Sequence, residues 1–311
     1  MTHHPFRFAV ELGASLPGRS FADSARELEG LGYSTAFVPD HFDEGLGPIT
    51  GMTVAAVATT TLTVGSLVLD CDFRHPAVLA RELASIDLVS EGRLEVGIGA
   101  GWKRLDYDRS GIPMDAPGTR VSRMIEHAKV LKGLFAEGSF SFVGEHYVIT
   151  DLDGTPAPYR PGGPPFLIAG GARRVLRFAG EVADIVGVNA SIHSGEVDAA
   201  AAQDSLADKF DEKVGWVREG AGDRFDALEI NAWIAFASVT DDGDAVAESL
   251  APLYQTDAAS VRSSPLTIIG SVEEIAEELQ RRRERWGYSY FVLPLPEAVA
   301  FAPVVAALAG S

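Results

Sequence analysis

The chain has 311 residues, 46% of them hydrophobic and 9% aromatic, enough for one large α/β domain or two smaller ones with a sizeable core. A formal net charge of −18 argues against a nucleic-acid backbone or an anionic membrane as a general partner, but leaves room for an anionic ligand wherever positive groups or helix N-termini are concentrated. The single cysteine, Cys71, excludes an internal disulfide and a cysteine-rich metal site and reads as a partly buried structural thiol; no signal-peptide pattern opens the chain and no apolar run is long enough to span a bilayer, so a cytoplasmic protein is expected.

The first half repeats a strand–helix rhythm. Phe6 to Leu12 reads as a strand ending at Gly13, and Ser20 precedes Phe21, Ala25, Leu28 and Leu31, whose spacing gives one helical face that Gly32 stops. Tyr33 to Val38 is the second strand, Ile49 to Thr59 a helix of small residues, and Leu62 to Leu69 the third strand. His75-Pro76 opens a helix with Leu79, Leu83 and Ile86 on one face, ending at Glu91-Gly92, and Leu94 to Ile98 is the fourth strand. A long helix from about Thr119 to Phe135 follows, then a small hairpin over Phe140 to Ile149 turning near Gly144, which reads as an insertion because neither of its strands has a crossover helix. Asp151 to Pro165, rich in Pro and Gly, reads as a surface loop.

The rhythm resumes with a strand from Phe166 to Ile168, a helix from about Arg173 to Val182 and a strand from Asp184 to Val188. One polar helical segment is expected from about Glu196 to Arg218, a single seventh strand from Leu228 to Val239, and a helical region from Asp244 to Tyr254. Ser271-Val272-Glu273-Glu274 fits a capping box, and Arg281 to Arg285 reads as a solvated helix face. Tyr290 to Leu293 is the eighth strand and Glu297 to Leu308 a closing helix. Eight strands, each followed by helix, with no linker between them, predict a (β/α)8 TIM barrel with insertions as one domain over residues 1–311. The competing doubly wound sheet lacks its signature, since no Gly-x-Gly-x-x-Gly opens the first crossover.

Barrels place their chemistry where strands become loops at one end, and four such breaks are polar or glycine-rich. Val38-Pro39-Asp40-His41-Phe42 sets an Asp-flanked imidazole at a strand end, where it can donate a proton or hydrogen bond near neutral pH; a surface histidine bonded to Asp40 is the plain alternative. Gly65 to Asp70 closes the third strand. Gly97, Gly99 and Gly101 beside Trp102 either ease sheet packing or let a flat ligand rest close to backbone. Gly170-Gly171-Ala172-Arg173-Arg174 opens a helix with two glycines and two arginines, a pattern that favours phosphate over a plain turn with surface arginines.

Taken in order, these stretches resemble the luciferase-like barrel superfamily, and within it the oxidoreductases that use the deazaflavin coenzyme F420. The resemblance is carried by Pro39-Asp40-His41-Phe42, Phe73-Arg74-His75-Pro76, Ser90-Glu91-Gly92-Arg93, Gly97 to Trp102, Ala169-Gly170-Gly171, Ala183-Asp184 and Gly270 to Ile275, spread over most of the chain. It implies that Asp40 and His41 lie beside the deazaflavin ring, with His41 the catalytic proton donor or transition-state stabiliser. Were His41 an ordinary surface residue, Asp106 or Tyr107 would be the next candidate donor in the sequence. It further implies that Leu67-Val68 is a non-prolyl cis peptide forming a bulge behind the ring, and that Gly99 and Ala100 line the ring. Gly170, Gly171, Ala172 and Arg173 would take the phosphate and Asn189 the cofactor's side chain. Deazaflavin-dependent sugar-phosphate dehydrogenases carry a glutamate straight after the glycine cluster; this chain has Trp102 there, which argues against a sugar phosphate.

The implied activity is hydride transfer between F420 and a small-molecule substrate in a homodimer. An FMN-dependent monooxygenase of the same superfamily is the alternative, and a non-catalytic cofactor-binding barrel the third reading.

Overall fold

A computed structural model describes residues 4–43, 45–192 and 194–311. Eight parallel strands close into a barrel: β1 (Arg7–Glu11), β2 (Thr35–Val38), β3 (Thr63–Ser66), β4 (Leu94–Gly99), β5 (Phe166–Gly170), β6 (Ile185–Val188), β7 (Glu229–Trp233) and β8 (Tyr288–Pro294). Each pairs with its successor, and β8 pairs with β1 to complete the ring. The (β/α)8 architecture expected from the strand–helix rhythm is therefore the one observed.

Alternation along β1 shows how the barrel fills. Phe8 and Val10 point outward into the main core between strands and helices, while Ala9 packs inward with Phe37, Leu167, Ile185, Tyr290 and Val292. Below this apolar layer, at the N-terminal end of the strands, the inward-facing Arg7 donates to Glu95 at 2.5 Å and to Glu229 at 2.8 Å, and the Tyr290 hydroxyl donates to Glu95 at 2.9 Å. The barrel is thus plugged from below by ion pairs and hydrogen bonds, and opens only at its C-terminal rim.

Three elements depart from the sequence expectation. The third strand breaks after Ser66: Val64 and Gly65 pair with Leu94 and Glu95, then Leu69 and Asp70 resume pairing with Ile98 and Gly99, and the intervening Leu67–Val68 peptide is cis, as the resemblance implies. The run Leu228 to Val239 is two strands, because after Trp233 the chain leaves the barrel. Its second part, Phe236–Val239, pairs with Thr267–Gly270 in a separate two-stranded parallel sheet, over a satellite core that includes Ala247, Tyr254, Val261 and Ile269. The segment expected as one helix over 196–218 is two, Ala199–Asp204 and Ala207–Ala221, parted at Ser205, whose buried carbonyl accepts a hydrogen bond from Ser264 Oγ.

The arginine-rich run is solvated at Arg281 and Arg285, but Arg282 is buried. It pairs with Glu278 and donates to the carbonyls of Arg262, Pro265 and Thr267, tying helix Val272–Trp286 to the satellite sheet. The expected hairpin is present as Ser139–Val143 and Val148–Asp153, outside the barrel, and the capping box at Ser271 and Glu274 is formed. Among the described residues, no helix is long and apolar enough to cross a membrane.

Candidate active site at the barrel mouth

The C-terminal ends of the strands bring together residues far apart in sequence. Glu11 ends β1, Asp40 and His41 follow β2, Asp70 ends the resumed part of the third strand, and Gly99 ends β4 with Ala100 directly after it. Gly170 and Gly171 end β5, Asn189 follows β6, and Trp233 ends β7. Partly exposed Leu67, Val68, Ala169 and Trp233 cap the inner apolar layer, giving the mouth an apolar shelf ringed by polar groups.

Asp40 is buried and serves as a staple. Arg74 grips both its oxygens, at 2.5 and 3.0 Å, and the Asp70 backbone N–H donates to Oδ2 at 3.0 Å. These bonds lock the end of β2 to the end of the third strand. Asp40 is therefore not the partner of its neighbour His41, as the plain sequence reading had it. His41 instead turns to Asp106, which lies in helix Arg104–Ser110 and places Oδ2 2.6 Å from His41 Nδ1. The other Asp106 oxygen accepts from the Phe42 N–H at 3.3 Å. The Trp102 ring stands almost perpendicular to the imidazole at 5.5 Å between centroids.

Asp106 and Tyr107, the next candidate donors in the sequence, are engaged in this way. Tyr107 is buried, with its hydroxyl 2.8 Å from Asp70 and 2.9 Å from Asp72. Burial, then the nearby Asp70, pushes that phenol up. Asp70 itself is pushed up to about 6, chiefly by desolvation, with Asp72 and Asp40 adding like-charge repulsion. Asp72 pairs with Arg123 at 2.5 Å, and Cys71 between the two carboxylates is buried, its thiol pushed up by desolvation. These contacts fix the wall behind His41.

The glycines at the end of β4 have protein neighbours that require them. A Cβ on Gly97 would meet the Ser66 carbonyl oxygen at 1.9 Å, and one on Gly99 would meet Val68 at 2.5 Å. Gly101, with φ of +69°, lies against the Tyr107 hydroxyl and Asp70. The packing explanation therefore accounts for all three, and only Ala100 and Gly101 at the end of this run are partly exposed. Arg120 closes the same turn by donating to the carbonyls of Ala100 and Gly101.

At the end of β5, a Cβ on Gly171 would meet the backbone of Ala190 and Ser191 at 2.5 to 2.7 Å, so this glycine seats the loop that follows β6. The next helix, Arg173–Val182, has no side-chain cap on its N-terminus at Ala172. Its first-turn N–H groups remain available to an anion. Arg173 is exposed and pairs with Glu219 at 3.0 Å, whereas Arg174 donates to the Gly118 carbonyl and to Ser122. Asn189 bonds through its backbone N–H to the Gly170 carbonyl, and its own carbonyl accepts from the buried Lys213 at 2.8 Å.

Sequence reasoning missed Glu11. It accepts from Trp233 Nε1 at 2.6 Å, and its carboxyl is pushed up, first by desolvation, against the lowering effects of Trp233 and of His41. A glutamate closing an otherwise apolar strand, with inward parity, is the signal that could have found it.

Comparison with known proteins places these features in context. A family model described as luciferase-like monooxygenase matches residues 1–290. A pyrimidine monooxygenase RutA from Agrobacterium fabrum is 28% identical over 304 residues, covering 89% of this chain and 80% of the relative. An F420-dependent glucose-6-phosphate dehydrogenase from Amycolatopsis mediterranei is 29% identical over 174 residues, about half of each protein at 54% and 52%. Among solved structures, the coenzyme F420 dependent tetrahydromethanopterin reductase from Methanopyrus kandleri superposes with a TM-score of 0.75 at 19% identity, covering 97% of this chain and 98% of the other, which establishes a shared fold.

Proposed function

The chain belongs to the luciferase-like monooxygenase family, and from that premise we propose that it is a deazaflavin (coenzyme F420)-dependent oxidoreductase acting on a small organic substrate at the barrel mouth. The observation that carries this reading is a single one: His41 sits at the rim beside an apolar shelf, with Nδ1 held by Asp106 and no hydrogen bond to Nε2 among the described residues. The dehydrogenase relative supports the choice of cofactor, and its name assigns F420 to that protein.

The residues fit a flat ring system with a phosphate-bearing tail. Leu67, Val68, Ala169 and Trp233 form an apolar floor on which a ring can lie and from which a bound ring would displace water, and Gly99 and Ala100 border it. The uncapped helix N-terminus at Ala172, next to Gly170 and Gly171, would hold the phosphate through backbone N–H groups, with the Arg173 side chain turned to Glu219, and Asn189 borders the path of the tail. When bound, the deazaflavin supplies hydride transfer at its C5 carbon, and the protein's task is orientation and proton management. Asp40, immobilised by Arg74, keeps the end of β2 in register with the broken third strand, so that His41 is presented at a fixed place. His41 Nε2 gives a proton to, or takes one from, the substrate oxygen. Glu11, its carboxyl pushed up by burial and held by Trp233 Nε1, borders the rim on the neighbouring strand.

A monooxygenase using FMN is the second reading, favoured by the RutA relative, which spans more of both chains than the dehydrogenase does. Incubating the protein with each reduced cofactor under air separates the two. The deazaflavin reading expects hydride transfer to an acceptor with no oxygen consumption. Oxygen uptake with FMN and none with F420 favours the alternative. The reading extends to a homodimer packed through the outer faces of helices Pro48–Ala58 and Pro76–Val89, where Val57, Val78 and Val89 are exposed.

A further inference from the structure

We infer that Asp106 is the positioning residue of His41, holding the imidazole as the Nδ1–H tautomer so that Nε2 is the nitrogen offered to the mouth. The inference rests on the reading of His41 as the proton-bearing group. Its first test uses the protein without any cofactor, so failure here is distinguishable from failure of that reading.

Asp106 is 4% exposed, and among the described residues His41 is the only basic side chain within ion-pair reach of it. Its two oxygens have separate duties: Oδ1 accepts from the Phe42 N–H at 3.3 Å, and Oδ2 faces His41 Nδ1 at 2.6 Å. A carboxylate has only lone pairs to offer, so the proton in the short contact belongs to Nδ1. The neutral imidazole then carries its lone pair on Nε2, and the protonated ring donates from Nε2.

The surroundings hold this arrangement in place. Helix Arg104–Ser110, which bears Asp106, is anchored on one side by the Tyr107 hydroxyl between Asp70 and Asp72, and on the other by the Arg104 N–H donating to the Gly195 carbonyl. Trp102, nearly perpendicular to the imidazole, restricts its rotation. Asp40, the chain neighbour that could compete, is fully engaged by Arg74 and the Asp70 N–H. A buried aspartate that orients a histidine through Nδ1 is a general device for presenting the other ring nitrogen to chemistry.

The test is the tautomer of His41, read from long-range proton–nitrogen correlations of histidine-labelled protein at pH 8, with His41→Gln assigning the signals. The wild type is expected to show a protonated Nδ1 and an unprotonated Nε2. In Asp106→Asn the Phe42 N–H retains the amide oxygen, which turns the NH2 toward Nδ1, so the Nε2–H tautomer is expected to replace it. Single-turnover hydride transfer in Asp106→Asn should fall by about a hundredfold or more, with cofactor affinity changed less than about threefold, since orientation and not binding is lost. An Nε2–H tautomer in the wild type overturns the inference even if the variant does not fold. An unchanged tautomer in Asp106→Asn also overturns it, whereas a switched tautomer with an unchanged rate upholds it and overturns the reading of His41 as the proton-bearing group.

Discussion

Replacing Glu229 with Gln tests the electrostatics of the barrel plug. Arg7 faces two carboxylates, Glu95 at 2.5 Å and Glu229 at 2.8 Å, and Glu95 also receives the Tyr290 hydroxyl. One guanidinium cannot neutralise both, and Glu229 is pushed up from 4.5 to about 7, by burial first and by Glu95 as well. The folded midpoint lies above the unfolded one, so the stabilisation from the bound proton is complete below about pH 4.5 and is lost as the pH rises through about 7. At about 1.36 kcal/mol per pH unit, the displacement corresponds to about 3 kcal/mol.

Gln is a neutral isostere of the protonated carboxyl and can still accept from Arg7. Glu229→Gln should therefore exceed the wild type by less than about 1 kcal/mol near pH 5 and by about 3 kcal/mol near pH 8. Urea denaturation of both proteins at pH 5, 6, 7 and 8 supplies the difference curve, in which contributions from Asp70 and other shared groups cancel. A difference that stays flat across this range, or that favours the wild type at pH 8, would refute the assignment of the shared charge to Glu229.

Arg74→Met leaves the buried Asp40 carboxylate without its paired guanidinium and should lower stability by about 3 to 5 kcal/mol, read as a fall in the denaturation midpoint at constant slope. Gly171→Val places a branched side chain against the Ala190–Ser191 backbone, so it should weaken cofactor binding and also increase proteolysis of the loop after β6; binding lost with that loop undisturbed would argue for direct contact alone. Arg173→Ala should cost cofactor binding less than about 1 kcal/mol, because the side chain is exposed and paired with Glu219; a loss of 2 kcal/mol or more would place it on the phosphate. Sedimentation at micromolar concentration should give a dimer of the 33.0 kDa chain, and a monomer would remove the proposed helix face.

The barrel was legible in the sequence because its signals are local. Apolar runs of strand length alternate with helical periodicity, and punctuation such as Gly32, Pro76 and the capping box at Ser271 sits at element ends. Where the reading failed, a distant partner decided the outcome. Nothing within Leu228 to Val239 announces that Phe236 leaves the barrel, because its destination is the strand at Thr267–Gly270. Arg282 lies in a charged run yet is buried, because three carbonyls of the preceding segment need its donors.

The site divides in the same way. Asp40 and His41 were found from their place at a strand end, but their partners were not: Arg74 is 34 residues from Asp40, and Asp106 is 65 from His41. Adjacency in sequence pointed to an Asp40–His41 pair; tertiary packing separates them. The glycines of β4 were visible, but only the structure shows that Ser66, Val68 and Tyr107 occupy the space their side chains would need.

The barrel mouth is proposed to bind a deazaflavin on its apolar shelf. Trp102 and Trp233 both stand at the rim, partly exposed, so a ring seated there must quench their emission. Titrating the protein with F420 and, separately, with FMN under identical conditions measures this directly. Saturable quenching by F420 with an affinity at least about tenfold tighter than for FMN, a difference of about 1.4 kcal/mol, is the predicted result. FMN binding as tightly as F420, or tighter, would contradict the account, as would saturable F420 binding that persists unchanged after Trp233→Phe and Trp102→Phe while leaving the remaining tryptophans as the quenched ones.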